Sequence, residues 1–156
     1  MKGAKKVKNR RFERLTTAKT EYKLPERSTK GSAGYDFFAP YKIVCKPKEI
    51  TFVRTGVRVQ MLDDEVLLLF NRSSNPRKKG LILLNGVGVV DEDYYNSDNE
   101  GEIAFEFYNI SDKEVIIEKG DKLGQGVFTT YFKTFEDMQN PKELPIRNGG
   151  FGSSGK

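Results

Sequence analysis

Residues 85–94 read Asn85-Gly86-Val87-Gly88-Val89-Val90-Asp91-Glu92-Asp93-Tyr94, an apolar, glycine-punctuated stretch that runs straight into three acids and an aromatic ring. Glycine allows positive φ or close approach of the backbone to a ligand, and Val89 and Val90 favour a buried strand. Asp91 then stands where a covered strand meets either a site or a solvated acidic turn. If the strand continues, Asp91 and Asp93 share one face and Tyr94 takes the other. Asp91 and Tyr94 reach one ligand only if the strand bends or ends between them. Beside a triphosphate, such a carboxylate has two possible roles: general base toward water, or partner of a hydrated Mg²⁺.

Three other segments carry groups suited to phosphate. Arg72-Ser73-Ser74 follows an apolar run and offers a guanidinium fork, two hydroxyls and turn amides, either a seat for phosphate oxygens or an ordinary surface turn. Gln125 lies between Gly124 and Gly126, a polar group where backbones approach closely, though a simple hairpin explains it equally well. Gly149-Gly150-Phe151-Gly152-Ser153-Ser154-Gly155-Lys156 contains Gly-x-x-x-x-Gly-Lys, but no strand precedes it, so the P-loop reading fails. Its glycines still let several amides turn toward a phosphate. Phe151 in so flexible a run is either a ring closing over a flat ligand or part of a disordered tail.

Composition narrows the chemistry. The chain has no histidine and a single cysteine, Cys45. Ser-His and Cys-His nucleophile systems and the usual zinc sets are thereby excluded, and acid–base work falls to Asp, Glu, Lys or Tyr. A lone cysteine forms no intrachain disulfide and fits a reducing, cytoplasmic setting. The 156 residues are 37% hydrophobic, which suits one soluble domain with a real core. No apolar run approaches the ~20 residues that cross a bilayer, and no apolar segment follows the basic start as a signal peptide requires. The net charge of +5 is uneven: seven basic residues against Glu13 put +6 within residues 1–14 and leave −1 for the rest. Residues 1–14 therefore read as a basic, disordered tail, and the folded part gives no reason to expect specific nucleic-acid binding.

These groups must be positioned by strands. Short apolar segments recur over residues 33–38, 42–46, 50–54, 57–61, 66–70, 81–84, 103–108, 115–117 and 123–132, several alternating and rich in β-branched or aromatic residues. Turn residues separate them, and no long helical period intervenes. Such a pattern argues for an all-β sandwich or barrel with little helix. Residues 95–101 read as a polar loop, and residues 135–140 leave room for a helical turn.

Taken in this order, Ala33-Gly34-Tyr35-Asp36, Arg72-Ser73-Ser74, residues 85–94, Gly120-Asp121 with Gln125, and residues 149–155 resemble the trimeric dUTPase family (deoxyuridine triphosphate nucleotidohydrolase). The resemblance covers residues 30–156. It implies an all-β, jelly-roll-like β-barrel subunit of short strands over residues 15–140 and a flexible C-terminal arm over residues 141–156. The implied reaction is hydrolysis of dUTP to dUMP and pyrophosphate, with Asp91 activating water for attack on the α-phosphorus. Mg²⁺ would be held through the triphosphate and water rather than by direct protein ligands, with Asp36 nearby. Arg72, Ser73, Ser74 and Gln125 would hold phosphate oxygens, and Arg147 the γ-phosphate. Asn85 and the backbone around Gly86 and Gly88 would read the uracil edge, where a tight hairpin leaves no room for a 5-methyl group. Tyr94 would pack on the deoxyribose, and Phe151, with Gly152 and Ser153, would close over the base. The resemblance also implies a homotrimer whose subunits share each site.

Two departures stand out. The family follows its acids with Tyr-x-Gly-Glu, whereas six residues, 95–100, separate Tyr94 from Gly101-Glu102 here. The family also places two residues between its arm arginine and Gly-Gly-Phe, where this chain has only Asn148. The inserted loop and the basic tail are the places to look for a protein partner. The alternatives are the related dCTP deaminase, which shares the subunit fold, and a nucleotide-sensing or protein-binding module.

Overall fold

The computed structural model describes residues 8–150. Eleven strands make up nearly all the regular structure: β1 (Arg11–Arg14), β2 (Tyr35–Phe38), β3 (Ile43–Cys45), β4 (Ile50–Arg54), β5 (Val57–Gln60), β6 (Glu65–Asn71), β7 (Leu81–Leu83), β8 (Gly88–Val90), β9 (Ala104–Asn109), β10 (Val115–Ile117) and β11 (Lys122–Thr130). One short helix, α1 (Phe135–Gln139), lies near the end, capped by the Thr134 hydroxyl accepting from the Asp137 N–H. Every pairing is antiparallel. β2, β11, β6 and β8 form one sheet in that order, β4, β9 and β7 a second, and β1–β5 and β10–β3 form two ribbons. This is the expected all-β, jelly-roll-like architecture with little helix. No described helix is long and apolar enough to cross a membrane.

Alternation explains the core. Along β9, Phe105, Phe107 and Asn109 point inward while Ala104, Glu106 and Tyr108 are half-buried. Phe105 stacks on Phe107 at 6.1 Å between ring centroids and meets Phe37 edge-on at 5.4 Å. Each such buried ring contributes about 1.5–3 kcal/mol of apolar burial. Asn109 is fully buried, and its amide donates to the carbonyls of Cys45 and Lys113, tying the end of β9 to β3.

The basic stretch does not run as a tail through Arg14. Arg11–Arg14 pairs with β5, and the reason is Phe12. Its ring packs 5.3–5.6 Å from the rings of Tyr35, Phe37 and Phe128, an apolar anchor hidden among charges. Arg10 lies over Phe128 and ion-pairs with the buried Glu65. Residues 1–7 lie outside the described residues.

The tight hairpin expected at residues 85–88 is also corrected. β7 pairs only with β9 and β8 only with β6, so the turn between them passes from one sheet to the other. Likewise Gly120-Asp121 is no simple hairpin, because β10 pairs with β3 and β11 with β2 and β6. β7 and β8 both bury side chains in the core, Leu81 and Leu83 from one and Val90 from the other, while belonging to different sheets.

Candidate active site

β8 ends at Val90, and a 3₁₀ turn over Glu92–Asn96 begins two residues later with Asp91 at its N-cap. The strand thus stops just before Asp91, and the turn that follows lets the Asp91 and Tyr94 side chains face one ligand. They line a single cavity of about 200 Å³ together with Asn85, Gly88, Arg147 and Ile103. Below the ~300–1,000 Å³ typical of drug-sized pockets, this space suits one flat ring rather than a whole nucleotide.

The turn that brings Asn85 there is set by backbone chemistry. Gly86 adopts φ +70°, a left-handed conformation that favours glycine, and its N–H donates to the Leu83 carbonyl at 3.0 Å. Gly86 therefore shapes the turn and does not line the cavity. Gly88 sits opposite Leu69, where a Cβ would come within 3.0 Å of the leucine.

Tyr94 is buried, at 8% exposure. Its hydroxyl donates to the Glu102 carbonyl at 2.7 Å and accepts from the Asn99 amide at 2.8 Å. Burial pushes the phenol above its ordinary pKa, only partly offset by the Asn99 hydrogen bond, so it stays protonated as that donation requires. The Glu102 carboxylate is held in turn by Arg54 at 2.8 Å and by the Gly56 N–H at 3.1 Å.

Arg147 closes the acidic end. Its guanidinium lies 2.5 Å from Asp91 Oδ2 and 2.9 Å from Asp93 Oδ1. Both carboxylates are about half exposed, at 49% and 51%, so each remains reachable by water.

The groups expected on phosphate collect elsewhere. Arg72, Ser73 and Ser74 follow the end of β6, ahead of a π-type turn over Asn75–Lys79. The Arg72 guanidinium reaches the Lys122 carbonyl at 3.4 Å. Gln125 pairs across from Asp36 and lies over Gly34, where a Cβ would come within 2.1 Å of its amide oxygen. Gly124 and Gly126 are equally constrained, by Phe105 and by Leu67, so the backbones do approach closely here. Burial alone would raise the Asp36 pKa. Hydrogen bonds from Lys122, at 2.7 Å, and from Ser28, with the charges of Lys122 and Arg72, bring it below the ordinary carboxylate value instead.

None of Arg72, Ser73, Ser74 or Gln125 lines the Asp91–Tyr94 cavity. Within one chain, the groups expected on phosphate therefore lie apart from those expected on the base and sugar. Phe151, Gly152 and Ser153 lie outside the described residues.

Several positioning residues were not anticipated. Asn75 is buried and donates to Asn71 Oδ1 and to the Leu123 carbonyl, while Asn71 donates to the Leu81 carbonyl and accepts from the Arg72 N–H. These two amides clamp the loop that carries Arg72. Nothing local marks them except an asparagine directly before the proline at residue 76. Lys122, at the start of β11, and Glu102 and Asn99, in the loop before β9, were also missed, because a charged or polar residue carries no local sign of a distant partner.

Among the described residues, no group of three or more His, Cys, Asp or Glu side chains is placed to hold a metal ion. Asp36 is already engaged by Lys122 and Ser28, and Asp91 and Asp93 share Arg147. These donors suit a hard cation that brings most of its ligands as water and phosphate oxygens.

Comparison with known proteins identifies the family. The family model described as dUTPase matches residues 20–155. The chain is 47% identical over 151 residues to a deoxyuridine 5'-triphosphate nucleotidohydrolase of Lactococcus lactis, covering 96% of this chain and 99% of the relative. A namesake from Hydrogenobaculum is 37% identical over 136 residues, covering 85% and 90%. The crystal structure of the dUTPase from Streptococcus mutans superposes with a TM-score of 0.76 at 45% identity, covering 79% of this chain and 97% of that one. On a match that spans most of its length, the chain belongs to the dUTPase family.

Proposed function

We propose that this protein hydrolyses dUTP to dUMP and pyrophosphate. The observation that carries the reading is the convergence of Asn85, Asp91 and Tyr94 on one ring-sized cavity in a chain of this family. In the proposed step, Asp91 takes a proton from a water whose oxygen attacks the α-phosphorus. The bond from that phosphorus to the bridging oxygen breaks, and pyrophosphate leaves. Asn85 and the Gly88 backbone read the uracil edge. The Tyr94 ring, held by the bonds at its hydroxyl, packs on the sugar and leaves no room for a ribose 2′-hydroxyl. Arg72, Ser73, Ser74 and Gln125 hold phosphate oxygens, with Arg147 on the γ-phosphate and Phe151, Gly152 and Ser153 over the base.

Mg²⁺ is the cofactor in this reading, held by triphosphate oxygens and water, where it offsets negative charge on the phosphates. Asp36 would accept from a metal-bound water there, in competition with Lys122. The assembly we infer is a homotrimer with shared sites. It is supported by the separation of the two half-sites on one chain and by the apolar side chains of Val44, Ile50 and Ile116, which are 42–58% exposed. A cytoplasmic setting is supported by the lone thiol of Cys45.

The test is a nucleotide panel with and without Mg²⁺. Pyrophosphate release from dUTP, with little from dTTP or UTP, is expected. Equal turnover of all three overturns the reading, and ammonia released from dCTP would indicate the deaminase instead.

A further inference from the structure

The stretch that departs from the family pattern closes on itself. Gly101 takes φ +72°, and a Cβ there would come within 2.8 Å of the Tyr95 Cα, so the two ends of residues 95–101 touch. Between them Asn99 turns back toward the site. Its amide donates to the Tyr94 hydroxyl at 2.8 Å, while its side-chain oxygen accepts from the Gly101 N–H at 3.1 Å. Glu100 holds φ +60°, a left-handed conformation that a side chain disfavours. Thr16 fixes it there, donating to the Glu100 carboxylate from its N–H at 3.2 Å and from its hydroxyl at 2.9 Å. At the other end of the loop Tyr95 donates to Glu13 at 2.7 Å. Its ring lies under the Arg58 guanidinium, which itself holds Glu13 at 3.0 Å. Lys8 ion-pairs with Glu92 in the 3₁₀ turn. Residues 8–16 thus grip Glu92, Tyr95 and Glu100, on either side of Tyr94 in the chain.

We propose that the N-terminal segment and the inserted loop form a brace that fixes the Tyr94 ring through Asn99, and that this brace sharpens the choice of deoxyribose over ribose. Its second half rests on Tyr94 packing against the sugar in the proposed reaction. Asn99 is a positioning residue: the family spacing leaves a single residue where this chain has Tyr95 to Glu100, so its bond to Tyr94 is supplied by the insertion itself. Neither Asn99 nor Glu13, Thr16 or Tyr95 lines the cavity, so they act on a ligand there through the ring they hold. A ribose differs from a deoxyribose by one oxygen atom, and rejecting it needs a wall that does not yield. A second hydrogen bond at the Tyr94 hydroxyl, on a loop anchored at both ends, supplies that stiffness. The brace lies within one chain and uses no residue beyond Gly101, so it does not depend on which subunit supplies the arm.

Deletion of residues 96–100 tests the brace directly, because it leaves Tyr94-Tyr95-Gly101-Glu102, the family spacing, across ends that already touch. Tyr94 ring flipping is measured by NMR on the full-length, ¹³C-tyrosine-labelled protein without nucleotide, the signal being assigned by its loss in Tyr94→Phe. Flipping should be faster in the deletion protein and in Asn99→Ala. The ratio of kcat/KM for dUTP over UTP should fall roughly two- to ten-fold in both, the worth of one hydrogen bond. Thr16→Val, remote from the cavity, should lower the ratio in the same direction, and Thr16→Ser, which keeps the hydroxyl, should retain the parent's value. The point variants carry the test if the deletion protein does not fold. Flipping as slow as the parent's in folded deletion protein or Asn99→Ala overturns the brace. Faster flipping with an unchanged dUTP/UTP ratio overturns its link to sugar choice. Because flipping is read without nucleotide, failure of the parent to hydrolyse dUTP bears on the proposed reaction and leaves the brace measurable.

Discussion

The Arg147 guanidinium bridges Asp91 and Asp93, at 2.5 Å and 2.9 Å, so an arm residue 54 positions away in sequence from Asp93 neutralises the acids at the end of β8. In the proposed reaction Asp91 takes a proton from water, and the contact with Arg147 occupies one of its two carboxylate oxygens. The consequences for activity and stability can be separated by residue.

Asp91→Asn keeps the side chain's shape and its place at the N-cap but removes the proton acceptor. Turnover of dUTP should fall by about 10²–10⁴-fold, the range for a lost general base. Binding of α,β-imido-dUTP, measured by calorimetry, should survive. An undiminished rate would remove Asp91 from the reaction.

Tyr94→Phe deletes a buried hydroxyl that both donates to Glu102 and accepts from Asn99. Leaving those two partners unsatisfied should destabilise the fold by about 1–3 kcal/mol, read from the urea midpoint. The looser ring should also admit UTP, so the ratio of kcat/KM for dUTP over UTP should drop. Asn99→Ala should lower the same ratio more modestly. An unchanged ratio in both variants would show that ring position does not set sugar choice.

Gly101 closes the inserted loop at φ +72°, where a Cβ would sit 2.6 Å from the Tyr94 carbonyl oxygen. Gly101→Ala combines positive φ with a backbone clash that no side-chain rotation relieves. A loss of about 1–3 kcal/mol in thermal or urea unfolding is expected. A neutral result would mean that the turn re-forms in another conformation.

Acid should unfold the protein through at least two carboxylates. Burial would raise both Glu13 and Asp36, but hydrogen bonds and nearby charge from Tyr95, Arg11 and Arg58 at the first, and from Lys122, Ser28 and Arg72 at the second, hold them below the ordinary values of 4.5 and 3.8. A carboxylate with a depressed folded pKa adds stability above its unfolded value and loses it as pH falls through the folded one. Stability should therefore be flat near neutrality and decline below about pH 4.5. In Asp36→Asn and Glu13→Gln the acid slope should be shallower, and an unaltered slope in both would place the linkage elsewhere.

Much of this was legible locally. Alternating Phe, Glu and Phe in β9, the glycines around Gln125, and the change from valines to acids at Asp91 each state their structure within a few residues, because side-chain period and glycine geometry are short-range properties. That the strand must bend or end between Asp91 and Tyr94 could be posed from the chain alone as a condition on the site; the structure ends it one residue earlier, at Val90. β1 was hidden because one apolar residue, Phe12, decides its fate against the five charged residues among residues 8–14. Its ring finds Tyr35, Phe37 and Phe128 only after the sheets assemble.

The sequence by itself determined every described strand except β1, the exclusion of Ser-His and Cys-His nucleophile systems, and the residue types gathered near Asp91. Tertiary structure alone decided that β7 and β8 part into different sheets, that Asn71 and Asn75 clamp the Arg72 loop, and that Arg147 comes to rest on Asp91. Each of these depends on which distant surfaces bury one another and which buried polar groups then find partners. No local pattern encodes that choice, because the competing pairings have the same period and differ only in the burial they achieve together.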